Sequence, residues 1–142
     1  MVNELKLVAM KENTKKALRF VEERLEQMDA PFSAKVAMAT AVEEIFLNIA
    51  YYAYGEGQGN ATIIMKTEDD TCAIALTFID QGMEFNPLVK EAPDVSVPIM
   101  ERRIGGFGIF LVKDRMDQVT YSREDGENRL TISYHWEKSK TE

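Results

Sequence analysis

The chain has one cysteine, one histidine and fewer basic than acidic side chains, and each shortage removes a class of function. Cys72 alone cannot close an internal disulfide, and one cysteine with one histidine cannot build a zinc site or a Cys/His nucleophile pair of familiar spacing. Lys and Arg number 17 against 24 Asp and Glu, a net charge of −7. That balance argues against nonspecific binding to nucleic acid or to an anionic membrane, since both need a basic face. No apolar run approaches the ~18 residues of a membrane span, and the start, Met1-Val-Asn-Glu-Leu-Lys-Leu, lacks a basic segment followed by a long apolar stretch. The expectation is a soluble, cytoplasmic protein in which Cys72 is a buried strand residue. No G-x-x-x-x-G-K followed by Ser or Thr is present, a G-x-G-x-x-G reading from Gly106 fails at Leu111, and the H-R-D and D-F-G signatures are missing.

What remains suits a globular core. The 142 residues, 45% of them hydrophobic, form a single domain, with its core over about residues 5 to 136. An edge strand at 4 to 9 precedes a helix whose Leu18, Val21, Leu25 and Met28 recur at helical spacing. The break Asp29-Ala-Pro31-Phe-Ser33 makes Ser33 the expected N-cap of a second helix over 34 to 54, ended by Gly55, with Val36, Ala39, Val42, Phe46 and Ile49 as its core stripe. Strands at 60 to 67 and 71 to 79 flank the turn Glu68-Asp-Asp70. Residues 83 to 105 show scattered charge and no period, which points to a lid or binding loop. A helix over 106 to 117 follows. The chain then closes with a hairpin of 118 to 123 and 128 to 136, in which Leu130, Ile132, Tyr134 and Trp136 face the helices and His135 faces solvent. The pattern predicts an α+β two-layer sandwich, a mostly antiparallel sheet covered on one face by about three helices.

Three polar signals interrupt these apolar elements. Glu44 and Asn48 are one turn apart on the second helix and share a face; alone they also fit a solvated stripe, but Asn is a mediocre helix former and here lies between Leu47 and Ile49. Asp80 ends the series Ile74, Leu76, Phe78 and precedes Gln81-Gly82, which fits either turn chemistry or a carboxylate reading a base in an apolar slot. Gly105, Gly106 and Gly108 open an apolar helix, so backbone N–H groups and the helix dipole are placed to meet a phosphate chain. Arg102 and Arg103 stand just before them, within reach of a terminal phosphate or simply as an exposed basic pair.

The order of these signals resembles the Bergerat-type (GHKL, histidine-kinase-like) ATP-binding fold of gyrase, the Hsp90 chaperones, sensor histidine kinases and MutL. Glu44-Ile-Phe-Leu-Asn48 resembles its N box, Asp80-Gln-Gly82 its D-x-G box and Gly105-Gly-Phe-Gly108 its later glycine box. The runs Val42 to Tyr54 and Gly106 to Val119 are more narrowly similar to the bacterial anti-sigma-factor serine/threonine kinases of the RsbW and SpoIIAB type. The resemblance implies ATP and Mg2+ as cofactors, Glu44 as general base, Asn48 as magnesium ligand and Asp80 as adenine reader. It further implies that Gly82 shapes the adenine pocket, that Gly105, Gly106 and Gly108 let the lid close, and that Arg103 is a candidate for the γ-phosphate. The implied partners are a STAS-domain antagonist protein and a sigma factor, with homodimerisation. Tyr52 departs from the His that family members often carry one turn after the magnesium ligand. It motivates an alternative, a nucleotide-gated binding module without kinase activity.

Overall fold

The computed structural model describes residues 1–89 and 108–138. Five strands, β1 (Val2–Val8), β2 (Asn60–Lys66), β3 (Ala73–Asp80), β4 (Gln118–Glu124) and β5 (Glu127–His135), form one sheet in the order β1-β2-β3-β5-β4. Every pairing is antiparallel. Helices α1 (Thr14–Gln27), α2 (Phe32–Asn48) and α3 (Gly108–Arg115) complete the expected sandwich. Alternation along the strands decides which face they cover: Ala61, Ile63 and Met65 of β2, Ile74, Leu76 and Phe78 of β3, and Leu130 and Ile132 of β5 are all buried. On the opposite face the Thr77 and Thr131 hydroxyls pair at 2.9 Å.

The turns follow local chemistry. α1 closes on Asp29, which takes the left-handed φ of 55°. There Asp29 N–H donates to Glu26 O and Ala30 N–H to Leu25 O, a Schellman arrangement in which Asp stands where Gly is usual. The β4–β5 hairpin turns on Asp125 and Gly126 alone, with φ of 50° and 78°, as a two-residue turn matched to strand twist requires. His135 is exposed on the polar face as expected, where its backbone N–H donates to Asp117 Oδ2 and its ring Nδ1 approaches the same oxygen.

Three expectations need correction. α2 begins at Phe32, with Pro31 as an extended N-cap that has no amide hydrogen to satisfy, so Ser33 lies inside the first turn and caps nothing. Its core stripe is Ala34, Ala37, Met38, Ala41, Val42, Ile45, Phe46 and Ile49, whereas Val36 is 40% exposed and Ala39 also faces solvent. Cys72 is half-buried just ahead of β3, its carbonyl accepting from Trp136 N–H. Most of the expected lid, together with Arg102, Arg103, Gly105 and Gly106, lies outside the described residues.

Candidate functional site

The site lies where β3 ends, β5 begins and the C-terminal part of α2 passes over them. Asp80 is the fourth member of the inward series Ile74, Leu76, Phe78, Asp80, so the alternation that builds the core also buries a carboxylate at its edge, 6% exposed. Asn128, equally buried, starts the inward series of β5 and stands opposite Asp80 in register. Its Nδ2 donates to Asp80 Oδ1 at 2.9 Å and to Met83 O at 2.8 Å. Its Oδ1 accepts from Tyr121 Oη of β4 and from Phe85 N–H. Gly82 N–H adds a second hydrogen bond to Asp80 Oδ1 at 2.9 Å, and Arg123 Nη1 donates to Gly82 O. Burial raises Asp80 above the ordinary carboxylate range, while the Asn128 and Gly82 hydrogen bonds and the Arg123 charge pull it back.

Beside this network is an apolar cavity of about 340 Å³, within the usual size of a small-ligand site. Ile45, Ile49, Ala53, Phe78, Met83 and Leu130 supply most of its wall, and Asn48, Tyr52, Tyr121 and Asn128 bring polar atoms to it. α2 reaches the cavity through a π turn, Ile49–Ala53, of the kind often found at functional sites. The carbonyl left over at its end, Ala53 O, accepts from Met83 N–H at 2.9 Å. Gly82 is needed at this crossing: a Cβ there would lie 2.1 Å from Ala53 O and 2.5 Å from Ala53 C. Gly82 therefore shapes the pocket from outside, by letting the chain after β3 lie against the helix end. Tyr54 closes the same corner, its hydroxyl donating to Asn60 O and accepting from Gln81 N–H.

The sequence-predicted residues thus meet unevenly. Asn48 lines the cavity, and Asp80 joins it through Asn128. Glu44 is half-buried one turn upstream on α2, with one carboxylate oxygen shielded from solvent, and is not among the lining side chains. Gly108 is the first residue of α3. Asn128, Tyr121 and Arg123 were missed by motif reading. The signal for Asn128 was its place on the Leu130–Ile132 alternation, where a polar residue needs a partner.

The donor set fits an adenine nucleotide. An apolar slot with a few polar atoms at its edge suits a purine, and the hydrogen bonds described for Asp80 at that edge fall on Oδ1. Among the described residues no cluster of three His, Cys, Asp or Glu could hold a metal, and a magnesium ion at Asn48 would draw on waters and phosphate oxygens for the rest of its shell.

Over residues 7–134 the chain matches the histidine kinase-like ATPase domain, and it belongs to that family. Among curated proteins it is similar to the serine-protein kinase RsbW of Bacillus cereus, 26% identical over 99 residues that cover 68% of this chain and 62% of that protein. The RsbW of Bacillus mycoides is 29% identical over 101 residues, with the same two shares, 68% and 62%. The serine/threonine-protein kinase BtrW of Bordetella bronchiseptica is 25% identical over 101 residues, covering 71% of this chain and 70% of BtrW. The match thus spans 62% of the length of these RsbW relatives. No helix among the described residues is long and apolar enough to cross a membrane.

Proposed function

We propose that this chain is an ATP-dependent serine/threonine protein kinase that phosphorylates a STAS-type antagonist of an anti-sigma factor, and that it sequesters a sigma factor when unopposed. The observation that carries the nucleotide part is the buried Asp80–Asn128 pair at the edge of an apolar cavity that Asn48 also lines. Asp80 accepts a hydrogen bond from the adenine amino group. Asn48 would hold a magnesium ion, which would neutralise charge on the phosphates. Glu44 takes the proton of the acceptor hydroxyl as that oxygen bonds to the γ-phosphorus and the bond to the bridging oxygen breaks, leaving ADP. Gly105, Gly106 and Gly108 allow the backbone close to the phosphates, and Arg103 meets the terminal one. The partners and homodimerisation rest on the motif resemblance to the anti-sigma-factor kinases, and a cytoplasmic location on the lone Cys72, which has no partner for an internal disulfide.

Transfer of label from γ-labelled ATP to a STAS protein encoded nearby tests this reading, with Glu44→Ala as control. Loss of transfer with ATP binding retained supports it, and undiminished transfer in the variant removes Glu44 from the mechanism. A second reading, a nucleotide-gated binding module without phosphotransfer, is favoured by Glu44 lying outside the cavity wall and by Tyr52 within it. Mg-ATP binding by the wild type without turnover on any candidate antagonist would select it.

A further inference from the structure

The Asn128 carboxamide has its four hydrogen-bonding positions filled: two protons go to Asp80 Oδ1 and Met83 O, and two acceptor sites receive Tyr121 Oη and Phe85 N–H. Its orientation is fixed by chemistry. Met83 O and an ionised Asp80 can only accept, so they must face the NH2, and the Phe85 amide can only donate, so it must face Oδ1. A flipped amide would set acceptor against acceptor on one side and donor against donor on the other. With nothing left to offer, Asn128 lines the cavity without being able to bond a base there in this arrangement.

We propose that Asn128 is a positioning residue for base recognition, holding the Asp80 carboxylate aimed and ionised, and that Tyr121 holds Asn128 in turn. The inference rests on reading the cavity as an adenine-nucleotide site. It also ties recognition to the strap after β3, because the same amide grips Met83 and Phe85. Burial opposes ionisation of Asp80, and the Asn128 hydrogen bond counters it. Among the described residues the charge acting on Asp80 is Arg123 on β4, which favours the ionised form, and Asp80 in turn helps to raise the Tyr54 and Tyr121 hydroxyls, which burial raises most. Glu84 and Glu127 act on Tyr121 and Tyr54 respectively.

Two readouts test this on the full chain: the carboxyl carbon shift of Asp80 followed against pH by NMR in the free protein, and Mg-ATP affinity followed against pH by calorimetry. Asn128→Leu keeps a comparable volume and removes both donations without adding a charge, and Tyr121→Phe removes one hydroxyl. The Asp80 midpoint should rise in Asn128→Leu and rise less in Tyr121→Phe. The acid limb of Mg-ATP binding should move up in pH with it, and Tyr121→Phe should bind about two- to tenfold more weakly at pH 7, as expected for one hydrogen bond. Unshifted midpoints, or affinity lowered equally at every pH, would overturn the role given to Asn128 while leaving nucleotide binding intact. Should Asn128→Leu fail to fold, an unshifted midpoint in Tyr121→Phe overturns it alone. Absence of Mg-ATP binding in the wild type would instead remove the nucleotide reading, and the adenine with it.

Discussion

Asp80 and Asn128 face each other across β3 and β5, each 6% exposed, joined by one hydrogen bond of 2.9 Å from amide to carboxylate. A carboxylate in that setting is held against its desolvation cost by a few fixed donors. The arrangement is poor for stability and good for selective recognition, because an isolated buried charge needs partners to persist.

The first prediction follows from that tension. The folded-state pKa of Asp80 lies above its ordinary value because of burial, so its favourable contribution is full below the unfolded value and is lost as pH rises through the folded one. Asp80→Asn removes the charge but keeps an oxygen for Gly82 and Asn128. The variant should melt at or above the wild-type temperature at pH 7, and its advantage should shrink on acidification. Thermal melts at pH 7 and pH 5 (~2 units apart) check this; a clear loss of stability at pH 7 would contradict it.

Gly82→Ala should be destabilising out of proportion to one methyl group. The added Cβ falls 2.1 Å from Ala53 O, a backbone atom that cannot swing aside, so the β3–α2 crossing must shift. Overpacking of this kind costs about 1 to 3 kcal/mol, which urea unfolding would read as a lower midpoint. A wild-type midpoint would show that the crossing can open freely.

Two substitutions on α2 test where its core face lies. Met38 is fully buried and Val36 is 40% exposed. Met38→Ala should cost about 2 to 5 kcal/mol, and Val36→Ala below about 0.5 kcal/mol. Comparable losses in urea unfolding would mean that Val36 is covered by something in solution.

These outcomes bear on what the sequence could tell. The antiparallel hairpin of β4 and β5 was legible because Leu130 and Ile132 alternate with Thr131 and Ser133 around an Asp-Gly turn. The first half of the α2 core face was not: Val36 and Ala39 extend the buried Val42, Phe46 and Ile49 as plausibly as Ala34, Met38 and Ala41 do, since small and apolar residues surround the helix on most sides. Asn48 and Asp80 stood out because each breaks an apolar series. Asn128 did not, since Asn beside a turn is ordinary local chemistry and only the β3–β5 register places it against Asp80. The π turn gave no warning, as Ile49-Ala-Tyr-Tyr-Ala53 carries neither Gly nor Pro.

The account depends on one adenine nucleotide entering the cavity beside Asp80. Calorimetric titration of Mg-ATP into wild type and Asp80→Asn measures that most directly. Saturable binding by the wild type that the folded variant lacks is the predicted result; equal affinity in the two proteins, or no binding in the wild type, would contradict it.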